Sequence, residues 1–213
     1  MEYLVTDIKD LTSKKKLVYI NYEPAFALYS GEVFRYNLKA DAYISEQIYD
    51  EIIAALSKRA LTRALYLFKD KDYTEYEIKS KLLKAYYPEQ SIEYSTEYLK
   101  DNHFINDRRY AYNYIAFKSD SYSSRVIVNK LRQKGIASDD IDAAFEEFTS
   151  DNSDPEYNTL VNLMNKKLKG RSVLELSYEE GQKLIAYMCR KGFSYDLVRK
   201  AFNEFLDNER NKV

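Results

Sequence analysis

Glycine and proline are scarce, 5 and 3 among 213 residues. A β sandwich needs such residues at its many turns, so their shortage argues for long helices. It also removes the glycine loops that cradle phosphates: neither G-x-G-x-x-G nor G-x-x-x-x-G-K-[ST] occurs. One cysteine (Cys189) and one histidine (His103) exclude a disulfide framework and a Cys/His zinc site. No apolar run approaches the roughly 18 residues of a membrane span. The opening MEYLVTDIKD does not read as a signal peptide. These absences predict a cytoplasmic protein with no cofactor and no membrane partner.

What the chain does contain is charge and tyrosine. Hydrophobic residues make up 45% and charged residues 31%, the composition of a folded, soluble protein. The net charge of −1 hides an uneven distribution. Residues 107–135 carry seven basic and two acidic side chains, whereas Asp139 to Glu156 holds eight acids and no base. One reading is a polyanion site beside a site for a basic partner. The other is two solvated helix faces.

Residues 3–36 are rich in β-branched and aromatic residues. The runs Tyr3–Ile8 and Leu17–Tyr22 flank a lysine-rich turn at residues 12–16, and Ala25–Tyr29 reads as a third strand. A short helix is expected near Val33–Leu38. From Ser45 the period turns helical: Ser45 reads as the N-cap of a helix burying Ile48, Ile52, Ile53 and Leu56. Thr74/Glu77 and Ser177/Glu180 fit the capping box, in which each side chain accepts a free backbone N–H at the helix start.

An internal repeat organises the rest. Slid forward by 49 positions, residues 62–99 meet 111–148 without a gap. Ile78, Leu82, Tyr87 and Ile92 then fall on Ile127, Leu131, Ile136 and Ile141. A further slide of 57 brings Ile127, Leu131 and Ile136 onto Leu184, Met188 and Phe193, and Ile141 onto Val198. The extra residues fall in the loop around Lys169–Leu176. Each copy reads as three helices, with Gly135 and Gly192 as left-handed helix ends and Ser138 and Ser194 as the next N-caps. The expected fold is mainly α: tandem three-helix repeats in an elongated curved array, with a small N-terminal β-hairpin or meander. The expected segments are 1–44 (β-rich), 45–106 (a linking helix and the first repeat), 107–150 (the second) and 151–213 (the third).

Little supports catalysis. His103 sits at a predicted helix end, and Cys189 reads as a half-buried small hydrophobe. Asp139, Asp140 and Asp142 open a helix, where carboxylates favour the positive end of its dipole; metal binding is the weaker alternative. Most tyrosines, such as Tyr73, Tyr87 and Tyr122, stand at core positions of the repeat, while Tyr110, Tyr112 and Tyr114 interleave with basic residues. The candidate contact residues are Arg108, Arg109, Lys118, Arg125, Lys130, Arg132 and Lys134, all in the second copy. With Ile127 and Leu131 facing inward, Arg125, Asn129 and Arg132 line another face of one helix. There they either pair with phosphates or carboxylates or form a solvated surface.

The segment Phe104-Ile105-Asn106-Asp107-x-Arg109-Tyr110-Ala111 and the segment Lys134-Gly135-Ile136 are the specific part of a resemblance that covers residues 4 to 205. They resemble the RecX family, the regulatory proteins of the RecA recombinase. The β-rich N-terminus with its lysine-rich turn and Ala25-Phe26 pair is similar to that of Gram-positive-type members. The resemblance implies a protein without a catalytic site that binds along the groove of the RecA–single-stranded-DNA filament; a monomer is expected because the terminal repeats and the β segment could cover both ends of the array. It implies inhibition of strand exchange, ATP hydrolysis and co-protease activity. Members are often basic, whereas this chain is net −1, which weights the expectation toward RecA contact over DNA contact. A helical-repeat scaffold for another protein and a free-standing single-stranded-DNA binder are the alternatives; the latter predicts steeply salt-dependent binding.

Overall fold

The helical period that starts at Ser45 becomes one unbroken helix. In the computed structural model, which describes residues 2–150 and 155–210, α2 (Glu46–Leu67) runs for 22 residues. The Ser45 side chain accepts the Ile48 N–H at its start, and Ile52 and Leu56 are fully buried. The chain divides into two compact units, Met1–Asn106 and Asp107–Val213.

The first unit opens with β1 (Glu2–Asp10), β2 (Lys15–Ile20) and β3 (Glu23–Tyr29). A short helix, α1 (Ser30–Arg35), leads to β4 (Ala42–Ser45), and the antiparallel sheet has the order β3-β2-β1-β4. Val5, Val18, Phe26, Leu28 and Ile44 form its buried face against α2. A stack of Tyr3 on Tyr49, centroids 4.0 Å apart, joins β1 to that helix. Pro24 is tolerated because β3 is an edge strand and the register shifts beside it. β4 is a strand the sequence pattern did not signal: it has four residues, of which only Ile44 is buried.

α3 (Glu75–Leu83) and α4 (Glu89–Asp101) complete this unit. Small residues let α4 approach α2 closely, with Ser57 on α2 hydrogen-bonded to Ser91 on α4 at 3.0 Å. The capping box of Thr74 and Glu77 forms as expected.

The second unit holds α5 (Asp107–Lys118), α6 (Ser124–Gln133) and α7 (Ser138–Thr149) around Ile115, Ile127, Leu131 and Ile141. It continues with α8 (Pro155–Leu168), a 3-10 turn (Val173–Glu175), α9 (Tyr178–Arg190) and α10 (Tyr195–Arg210) around Leu160, Met164, Met188 and Val198. The capping box of Ser177 and Glu180 starts α9, and the Ser194 hydroxyl accepts the Leu197 N–H. Ser138 is a correction. Ala137 takes the cap position and Ser138 is the first helical residue. In the repeat register Ala137 corresponds to Pro88 and Ser194, so the turn geometry sets the helix start whatever residue stands there.

Three equivalent helix ends share one turn. Tyr86, Gly135 and Gly192 have φ of 59°, 79° and 101°. In each, the N–H of that residue reaches back three positions (Tyr86 to Leu83, Gly135 to Arg132, Gly192 to Cys189, all 2.9 Å). The following N–H reaches back five, at 3.2–3.3 Å. The following residue, Tyr87, Ile136 or Phe193, is buried. This is the Schellman ending, which satisfies the last carbonyls of a helix.

Candidate functional site

The candidate residues lie on α5, α6 and the turn after α6. Ser123 caps α6 by accepting the Val126 N–H, and Ile127 and Leu131 point into the core. That rotation leaves Arg125, Asn129 and Arg132 exposed together, as their spacing predicts. Neither arginine has a carboxylate partner among the described residues. Both guanidiniums therefore present their full donor set to a planar anion such as carboxylate or phosphate.

The other five behave differently. Arg108 pairs with Glu147 of α7 at 2.9 Å. Arg109 is exposed but already engaged within the protein. Lys118, Lys130 and Lys134 lie over the rings of Phe117, Tyr122 and Tyr110 at 4.5, 4.4 and 5.2 Å. The set thus divides into an exposed arginine pair on α6 and three lysines held on aromatic faces, a cation–π arrangement.

Lys191, absent from the sequence-derived set, lies on the same Tyr122 ring at 4.5 Å. Its carbonyl also accepts the Ser123 N–H at 3.3 Å. Its signal was its place in the repeat, where it corresponds to Lys134. The contact depends on Gly192: a β-carbon there would lie 2.3 Å from Ser123 Oγ and 2.4 Å from Val126 Cγ2.

The acidic stretch is distributed. Asp139 and Asp140 sit in the first turn of α7, Glu147 serves Arg108, and Asp151 and Asp154 lie outside the described residues. Asp139, Asp142 and Glu146 line an open hollow together with Val128 and Phe145. No group of three His, Cys, Asp or Glu side chains with metal-binding geometry occurs among the described residues. His103 stands in the turn that ends α4, with φ 59°. No described helix is long and apolar enough to cross a membrane.

The carboxyls of Glu75 and Glu180 are shifted by their surroundings. Burial pushes Glu75 up, but hydrogen bonds and charge from Lys100 and Lys79 outweigh it and hold the group below its ordinary value. At Glu180 the Ser177 backbone N–H, with Arg171, lowers the carboxyl to about 2. Both are structural positions, one bridging α3 and α4 and the other starting α9.

Residues 106–144 match the family model of the second RecX three-helix domain, and residues 154–202 that of the third. A regulatory protein RecX of Streptococcus pneumoniae (strain Hungary19A-6) is 31% identical over 208 residues, 95% of this chain and 78% of the relative. The protein of the same name from Clostridium botulinum (strain Eklund 17B / Type B) is 25% identical over 95% of both chains. A crystal structure of RecX from Lactobacillus salivarius superposes with a TM-score of 0.60 at 25% identity, covering 71% of this chain and 97% of that one. Another crystal structure of regulatory protein RecX matches in fold with a TM-score of 0.59, 23% identity and coverage of 94% and 99%.

Proposed function

Since the chain belongs to the RecX family of regulatory proteins, we propose that it regulates the RecA recombinase. It binds the RecA–single-stranded-DNA filament and inhibits strand exchange, ATP hydrolysis and co-protease activity in DNA repair and the SOS response. In this reading it works in the cytoplasm as a monomer, without a catalytic site or cofactor of its own. The β-rich segment 1–44 and the repeats in 45–106, 107–150 and 151–213 are its working modules.

The observation that carries the contact is the α6 face. Arg125 and Arg132 are exposed, two helical turns apart and without a carboxylate partner among the described residues. Filament carboxylates or strand phosphates satisfy them. Arg108, Arg109, Lys118, Lys130 and Lys134 are the further contact candidates of the same repeat.

The test is ATP hydrolysis by the cognate RecA on single-stranded DNA with this protein titrated in. Dose-dependent loss is the expected result. Reversing both charges (Arg125→Glu with Arg132→Glu) places like charges against the partner and raises the half-inhibitory concentration about tenfold or more. Circular dichroism checks that the variant keeps its helices. No inhibition by the folded wild-type chain refutes the filament reading and favours a scaffold for another protein. Inhibition unchanged in the double variant removes the α6 face from it.

A further inference from the structure

A second basic surface lies in the first unit. On α2, Ala55, Lys58, Arg59, Thr62, Arg63 and Tyr66 follow a spacing of three and four and share one face, about 16 Å long at the helical rise. This face forms one wall of an open hollow of about 580 Å³. Lys15 of β2, Tyr29 of β3 and Tyr87 after α3 line the rest. The lining holds four cations and three tyrosines and no carboxylate. No aliphatic side chain larger than alanine reaches it.

The side chains are held in place. Arg63 donates a hydrogen bond to Tyr87, whose ring is 5% exposed. The ring of Tyr29 carries Lys15 at 5.1 Å and Arg59 at 4.9 Å. Arg59 is also paired with Glu32, so Lys15, Lys58 and Arg63 supply the uncompensated charge. Tyr66, 65% exposed, stands at the end of the stripe with Lys69 over its ring at 5.0 Å.

We propose that this groove is a contact site for single-stranded nucleic acid, with Lys15, Lys58 and Arg63 on successive phosphates and Tyr66 stacked on a base. The chemistry separates this occupant from an acidic peptide. A peptide anchors by aliphatic side chains in pockets, and the groove has none, whereas unpaired bases seek flat aromatic faces beside cations. Bases in a duplex are hidden from Tyr66, so the single strand is the preferred form. The inference adds to the regulatory reading a hold on the strand that needs no RecA, and it is tested without RecA.

The experiment is fluorescence anisotropy of a labelled oligothymidylate titrated with the full chain across a salt series. Tyr66→Ala, a change at an exposed ring, is expected to weaken binding about tenfold. Lys58→Ala with Arg63→Ala is expected to flatten the log–log salt dependence by roughly 1.4, two phosphate contacts' worth for a single strand. Arg63→Lys, which keeps the charge, guards against a folding defect and is expected to retain the wild-type slope. Undiminished binding by Tyr66→Ala, or an unaltered slope in the folded double variant, overturns the proposal. So does displacement of the oligonucleotide by poly-glutamate as readily as by unlabelled strand, which assigns the groove to an acidic protein segment.

Discussion

The first unit and the second end the same helix of their repeats with the same turn, but the first uses tyrosine where the second uses glycine twice. A left-handed residue with a β-carbon costs roughly 1–2 kcal/mol. Tyr86 bears that cost in a place where the sheet helps: its carbonyl accepts the Ala27 N–H from β3 at 3.1 Å. The turn is thereby tied to the sheet, and the strand's own edge is partly satisfied. Gly135 and Gly192 belong to the second unit, whose described residues form no strand. Gly192 is further constrained by the approach of Ser123 and Val126. One backbone geometry is therefore maintained by an external hydrogen bond in one unit and by the absence of a side chain in the other.

The largest effect follows from adding a methyl group where there is no space. Gly192→Ala combines the left-handed penalty with a clash against Ser123 and Val126, together about 3 kcal/mol. Urea denaturation of the full chain should show this loss. A change under 1 kcal/mol would mean that the two turns separate freely.

A pair of reciprocal substitutions sharpens the contrast. Gly135→Ala carries the backbone penalty of a left-handed residue and should cost about 1–2 kcal/mol. Tyr86→Gly removes that penalty but frees the unfolded chain by about 0.4–1 kcal/mol, so its net effect should stay within about 1 kcal/mol. Tyr86→Gly proving as harmful as Gly135→Ala would show that the Tyr86 ring, not the sheet, supports the first turn.

The smallest effect concerns the helix starts. Glu180 in the native protein titrates near 2, below its ordinary value of 4.5, because its ionised form accepts the Ser177 N–H and pairs with Arg171. Its contribution is fully present above pH 4.5 and is lost as pH falls through about 2. Glu180→Gln should therefore be less stable than wild type at neutral pH, with the gap closing on acidification, as followed by circular dichroism melts. A gap independent of pH would place the effect in packing and not in charge.

The helical architecture was legible because its signals are local or periodic. Ile127 and Leu131, or Leu184 and Met188, mark buried faces at helical spacing, and the copied pattern locates each turn. β4 was not legible, since a four-residue strand with one buried side chain carries no period. Ser138 misled because residue type was preferred over repeat position. The arginine face of α6 could be read from spacing on one helix. The first-unit groove could not, because Lys15, Tyr29, Arg63 and Tyr87 are brought together only when the sheet docks on α2. Lys191 became visible as a neighbour of Tyr122 only once the third repeat met the second.

The hydrogen bond from Ser123 to the Lys191 carbonyl also has a mechanical side. Ser123 caps the helix that carries Arg125, two residues along, so a force applied by a bound partner at that arginine is passed on to the end of α9. The second and third repeats then bear load in series, and the eight-residue lengthening of the loop before α9 leaves that coupling untouched. A partner gripping either repeat would strain both.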